Sequence, residues 1–267
     1  MRSLKKIVGS LLAVMVLWIS VGETNVKAHN PPSYNYSFWG ESVPAPVAYE
    51  AIKLIDGESL EIGVFDEPND LHVTKDEQVF ILDSGNNRIV ILDEYFELVE
   101  ILESFQLNGL NSTFSNPQGI FVNDENHIFI ADTGNHRVVH LDERFDVVKI
   151  IDEPESELLS ESFTFLPVKV VVDYAERVFV MADGVFDGFM EFSIEGDFTT
   201  FIGANRVRVD PIEYLWKRFA TREQRNQMVM YVPTEFTSLD IDGKGFIYAT
   251  NADNSEDVVK KIKCTWR

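Results

Sequence analysis

The sequence predicts an all-β repeat fold, and three observations carry that prediction. Residues 128–141 alternate apolar positions along two short arms, Ile128 and Ile130 on one and Val139 and Leu141 on the other. Period-two patterning rich in β-branched residues marks strands, and Gly134-Asn135 between the arms supplies turn chemistry. Residues 79–92 repeat the same pattern 49 positions earlier. Both copies are flanked on each side by a further strand and turn, so the unit holds four strands. Such units, recurring at roughly 40 to 50 residues, cannot bury their own faces; radial stacking into a β-propeller buries them.

The units can be read off in order. The first runs from a strand at 71–73 through the turn 74–77 and the repeated hairpin to a strand at 98–102. The second has strands at 119–122, 128–141 (two arms) and 147–151. The third keeps the spacing, with Val178 standing 50 residues after Ile128, but its central turn, Asp183-Gly184-Val185-Phe186-Asp187-Gly188, lacks the Asn and Arg of the others. The fourth begins at Ser238, turns at Asp242-Gly243-Lys244-Gly245 and stops after Lys261-Ile262-Lys263. Between Val178 and Phe246 the spacing rises to 68. A short helical insertion over 205–231 accounts for the excess. Asp210 can cap it, Pro211 suits its first position, and Ile212, Leu215, Trp216 and Phe219 fall at helical spacing.

Asn116-Pro117-Gln118-Gly119-Ile120, a strand, and Ala131-Asp132-Thr133-Gly134-Asn135-His136-Arg137 together resemble the NHL repeat. The usual form of that repeat is a Pro-x-Gly entry, a strand and an Asp-x-x-Asn-x-Arg turn. The resemblance covers residues 65–151 and continues weakly to the end. Residues 201–206 and 233–236 resemble exported NHL-repeat proteins of Gram-positive bacteria. The resemblance implies a β-propeller, of six blades in a full ring, that serves as a binding platform and occasionally as a lactonase-like or lyase-like enzyme. Against that ring the NHL-type propeller is incomplete, with about three to four blades over 55–267 and the last one truncated. An open arc leaves sheet faces and edges uncovered, so self-association is expected.

Arg2, Lys5 and Lys6 precede an apolar run over 7–21, and Val26-Lys27-Ala28 offers a small-residue cleavage site. Together they read as a secretory signal peptide over 1–28, which predicts a secreted or cell-surface protein with no membrane insertion after cleavage. The alternative is an uncleaved signal anchor, although the run is shorter than the roughly 20 residues a span requires. Residues 29–54 read as an extended arm, where four prolines accompany Tyr34, Tyr36, Phe38 and Trp39. Lys and Arg total 23 against 44 Asp and Glu, a net charge of −21. That balance disfavours nucleic acid and anionic lipid as partners. The single cysteine, Cys264, leaves no intrachain disulfide framework.

No nucleophile elbow, zinc helix, phosphate loop or dinucleotide fingerprint is present, so no catalytic or metal residue is assigned. Asp83, Asn86 and Arg88 recur as Asp132, Asn135 and Arg137. Recurrence at equivalent positions favours a structural role, with Asp and Asn satisfying turn amides and Arg bridging to a carboxylate. In a four-strand meander the second-to-third-strand turns share a face with the inter-unit connections, and here those are the long segments 106–118, 152–167 and 203–237. Elaborated loops on one face of a repeat scaffold mark a binding side. Asn87, His136, Asp187, Arg206, Arg208 and Trp216 are therefore the candidate ligand-binding residues, for a protein, peptide or carbohydrate and without an obligatory cofactor. The alternative is a calcium-dependent lactonase-like hydrolase, which needs a carboxylate and amides converging on one calcium ion.

The leader makes the first testable prediction. The mature chain begins at His29, and N-terminal sequencing of protein recovered from the medium reads His29-Asn30-Pro31. Recovery of uncleaved, cell-associated protein alone would show an anchor instead.

Overall fold

The computed structural model describes residues 33–46, 52–160, 163–203, 236–251 and 259–263. The chain divides into two units, Met1–Ile55 and Asp56–Arg267. In the first, β1 (Tyr34–Tyr36) and β2 (Ser42–Pro44) form an antiparallel hairpin whose exposed rings include Phe38 and Trp39.

The second unit is all-β, a four-bladed β-propeller arrangement. Blade 1 is β3 (Pro68–Val73), β4 (Val79–Asp83), β5 (Arg88–Leu92) and β6 (Leu98–Leu102). A separate hairpin, β7 (Ser104–Leu107) and β8 (Leu110–Thr113), leads to blade 2. Blade 2 is β9 (Gly119–Val122), β10 (Ile128–Asp132), β11 (Arg137–Leu141) and β12 (Val147–Ile151). Blade 3 is β13 (Pro167–Val172), β14 (Val178–Ala182), β15 (Gly188–Phe192) and β16 (Phe198–Gly203). Blade 4 is β17 (Phe236–Ile241), β18 (Phe246–Asn251) and β19 (Val259–Lys263). Every sheet is an antiparallel meander in chain order, and the first strands β3, β9, β13 and β17 lie beside one another around the axis. The helical insertion expected over 205–231 and the end of the chain after Lys263 lie outside the described residues. Among those residues, no helix is long and apolar enough to cross a membrane.

The strands fall where the alternation places them. Two hairpins are additional to them: β1–β2 within the arm 29–54, and β7–β8, which overlaps the connection 106–118 read from sequence as a loop. Asn108-Gly109 explains the latter, since both residues adopt positive φ (54° and 78°) and this dipeptide is the strongest short hairpin signal.

Each sheet is apolar on both faces. Ile128, Ile130, Val139 and Leu141 of blade 2 pack against Phe80, Leu82, Ile89 and Ile91 of blade 1. The opposite face of blade 2, with Phe129, Ala131 and Val138, joins a core continuous with blades 3 and 4. Full burial of each such side chain stabilises by about 1.5 to 3 kcal/mol.

On the axis one carboxylate joins three blades. Asp70 of β3 accepts from the Ile120 amide of β9 at 2.9 Å and from Lys169 Nζ of β13 at 2.7 Å. Lys169 reaches across β9 because Gly119 has no side chain there. A Cβ on Gly119 would stand 2.4 Å from the Val168 carbonyl oxygen and 2.9 Å from Lys169 Cα.

The first blade differs from the second in one respect. Leu71 and Val73 occupy the register of Ile120 and Val122, facing away from the next blade. Ile120 and Val122 are 4% and 3% exposed under blade 1, whereas Leu71 and Val73 are 61% and 53% exposed. An apolar face of this kind promotes association. Light scattering on chromatographed protein, paired with a thermal melt, is expected to show oligomers or a low, broad transition. A monodisperse monomer with a cooperative, high-temperature transition would show that the chain covers its own faces.

Candidate functional site

The repeated turn is a clasp between blades. Asp132, fully buried at the end of β10, accepts from the Ser115 amide at 2.8 Å, Asn135 Nδ2 at 2.9 Å and Arg137 Nε at 2.8 Å. Asn135 and Arg137 then donate onward to the Thr113 carbonyl, at 3.0 and 3.2 Å, and Arg137 also reaches Ser112 Oγ. Blade 1 repeats the arrangement. Asp83 accepts from the Asp66 amide, Asn86 and Arg88, while Asn86 and Arg88 donate to the Val64 and Ile62 carbonyls. Each carboxylate thus ties its own turn to the segment that enters the blade. A buried charge held by several donors is satisfied, and removing one partner strands the rest.

The same turns also reach forward. Ser84 and Thr133 donate through their hydroxyls to the carbonyls of Pro117 and Pro167, at the start of the following blade. Asn87 Oδ1 accepts from the Asn116 amide at 2.6 Å, and His136 Nδ1 donates to the Phe165 carbonyl at 3.1 Å. Asn87 and His136 both hold positive φ, 54° and 57°, which directs their side chains out of the turn. These two residues were expected to line a ligand face, and the structure places them in blade-to-blade hydrogen bonds. Asp187 is exposed in the β14–β15 turn on that same face. Arg206, Arg208 and Trp216 lie outside the described residues.

A cavity of about 280 Å³ opens on the opposite face, on the axis. All four blades build it in the same way, each giving the end of its first strand and the turn that follows. His72 and Phe121 contribute from the strands of blades 1 and 2, their rings edge-to-face at 4.9 Å. The second residue of each turn forms the rim: Lys75, Asp124, Tyr174 and Gly243. Lys75 pairs with Asp124 at 2.5 Å, and the Tyr174 hydroxyl donates to the Gly243 carbonyl at 3.2 Å. The first residue of each turn sets the loop. Asn123, Asp173 and Asp242 accept through Oδ1 from the amides two and four residues on, and Thr74 Oγ1 accepts from the amide four residues on.

Five carboxylates line the cavity, on Asp124, Glu125, Asp173, Glu176 and Asp242, against the single ammonium of Lys75. Asp173 is paired with Arg177 at 2.6 Å. Burial holds His72 below the ordinary histidine range, with Asp240 and Asp70 pulling the other way. No group of three or more His, Cys, Asp or Glu side chains among the described residues is placed to share a metal ion. Sequence reading passed over these residues because short Asp/Glu/Gly turns look like solvated loops. The available signal was their common position in each unit, one residue after the turn's capping Thr, Asn or Asp.

The NHL repeat family model matches residues 114–141, which span the entry and the second clasp. No curated protein matches the sequence. Among solved structures, the chain is similar to a catalytically inactive virginiamycin B lyase from Staphylococcus aureus with quinupristin, at 9% identity and a TM-score of 0.44, covering 88% of this chain and 63% of the lyase. It is similar to a streptogramin B lyase at 10% identity and a TM-score of 0.43, covering 86% of this chain and 61% of that one. A gluconolactonase from Xanthomonas campestris gives 12% identity and a TM-score of 0.43 over 82% of this chain and 61% of its own. The chain therefore spans under two thirds of the length of each.

The clasp predicts a stability effect. Arg137→Ala leaves Asp132 buried with one donor fewer, and the unfolding free energy falls by about 1 to 3 kcal/mol. Denaturant titration measures it; an unchanged midpoint, with a ligand interaction lost instead, would move Arg137 from structure to recognition.

Proposed function

We propose that the chain is a non-catalytic binding propeller that seats a basic group of a protein or peptide partner in the axial cavity. The observation that carries this reading is the cavity lining. Its one ammonium is already paired with Asp124, Asp173 is paired with Arg177 and Asp242 lies 3.9 Å from Lys261, while the carboxylates of Glu125 and Glu176 share the lining with the rings of Tyr174 and Phe121. An ammonium or guanidinium entering there meets negative charge and an aromatic face together, the two features that favour cation binding. The acidity of the whole chain raises the local concentration of such a partner. Export to the cell surface belongs to the same proposal and is supported by the leader-like residues 1–28. The low-similarity lyase and lactonase structures lend no weight to an activity.

Isothermal titration of the exported chain with an arginine- and lysine-rich peptide, a neutral oligosaccharide and calcium separates the readings. Binding of the basic peptide is expected, weakening as salt screens the carboxylates. The double substitution Glu125→Gln with Glu176→Gln weakens it at least tenfold, about 1.4 kcal/mol. Oligosaccharide binding with no response to the peptide would overturn the cationic reading. Calcium binding accompanied by lactone hydrolysis would overturn the non-catalytic one.

A further inference from the structure

His127 and His140 stand side by side in blade 2, with His127 Nδ1 2.9 Å from His140 Nε2. A hydrogen bond between imidazoles requires one unprotonated nitrogen to accept. Phe129 stacks on the His140 ring at 4.1 Å between centroids and holds it against the sheet. Both histidines are half-buried, on the blade 2 face that carries Phe129 toward blade 3.

The pair adjoins the turn that walls the axial cavity. Residues 123–127 form that turn, and its tip carries Asp124 and Glu125 into the lining. At its far end the His127 amide donates to Asn123 Oδ1 at 2.9 Å, and the His127 carbonyl accepts from the Asn123 amide at 3.0 Å. The His127 ring then crosses to His140 on β11. One side-chain hydrogen bond therefore links the cavity wall to the interior of the sheet.

The charged surroundings of His140 come from three directions. Lys149 is its cross-strand partner on β12, Asp142 sits in the turn that follows β11, and His127 adjoins β10. Lys149 itself donates to the Ile194 carbonyl of blade 3 at 2.9 Å, with Glu195 nearby. Burial is the main cause that brings His140 down from the ordinary 6.5 to about 4; His127 and Lys149 push the same way and Asp142 opposes.

We propose that the His127–His140 hydrogen bond is an acid-sensitive latch on the blade 2 wall of the axial cavity. One added proton can be shared between the two rings. A second leaves two donors facing each other beside Lys149, with no acceptor between them. A ring then swings to water, and the turn 123–127 loses its tie to β11 and opens more readily. Because the folded value of His140 lies below its unfolded one, the unfolded chain binds more protons between about pH 6.5 and about pH 4. The latch's contribution is complete above the upper limit and is lost as pH falls toward the lower. Its effect on ligand affinity rests on the binding reading above; the latch itself does not.

Proton NMR of the histidine rings in the full chain, from about pH 7.5 to 3.5, with amide exchange at Glu125 and Asn126, tests the latch without any ligand. His140 is expected to titrate well below the ordinary histidine range, with protection of the two amides falling at least tenfold across that titration. In His140→Phe, which keeps a ring against Phe129 but cannot take a proton, protection no longer follows pH. In His72→Gln, which alters the other shifted histidine, it follows pH as in the wild type. A His140 that titrates near 6.5, wild-type protection that does not change with pH, or a pH-dependent loss retained in His140→Phe would each overturn the latch. If His140→Phe does not fold, the wild-type titration and exchange decide alone.

Discussion

A short antiparallel sheet with apolar side chains on both faces has no stable existence by itself, and the arrangement of the blades follows from that constraint. In blade 2, Ile128 and Ile130 point one way and Phe129 and Ala131 the other, and all four are buried. Two neighbours are needed to bury them. Repeating the unit supplies the neighbours, and the twist of each sheet turns the row into an arc. Most polar groups then occupy the ends of the blades and the axis.

Those polar groups fix what the apolar faces leave loose. Sheet faces packed on each other can slide, because burial depends on area and not on direction. Hydrogen bonds to Asp83 and Asp132 have direction, and they place each entering segment against its turn to within a fraction of an ångström. Asp70 does the same on the axis, where it holds an amide of the second blade and an ammonium of the third. The axial cavity is a by-product of this order. Four equivalent turns converge on it, and each contributes a different side chain to the rim.

The strands were legible in the sequence because alternation reports which positions lie on which face. The clasps were legible because Asp-x-x-Asn-x-Arg recurs, and recurrence distinguishes scaffold from site. The forward reach of Asn87 and His136 was not legible. It depends on a positive φ and on the position of the next blade's entry, neither of which a residue type encodes. The cavity stayed hidden for a similar reason. Lys75, Asp124, Tyr174 and Gly243 share no chemistry, so no motif joins them; only their common register, some 50 residues apart from unit to unit over the first three, brings them together. The exposed face of β3 was legible from the count of units and not from its residues. Leu71 and Ile120 are interchangeable in pattern, and the neighbouring sheet decides which is covered.

The junctions between blades are built of different materials, and this bears on how the chain would yield under a pulling force. Blades 1 and 2, and blades 2 and 3, are joined by short directional bonds from Ser84, Asn87, Thr133 and His136 in addition to their apolar contact. The central turn of blade 3 has neither the Asn nor the Arg of the clasp. Among the described residues, the contact of blade 3 with blade 4 combines the Tyr174–Gly243 hydrogen bond with a run of rings, Phe179 edge-on to Phe189 within blade 3 and Phe189 tilted against Phe236 of blade 4, at centroid distances of 6.3 and 6.0 Å. Short hydrogen bonds resist until they rupture and then give no resistance. Aromatic contacts slip gradually and re-form. Among the described residues the third joint has fewer directional bonds and more ring contact than the first two, so strain applied at blade 4 is taken up there before it reaches the clasps.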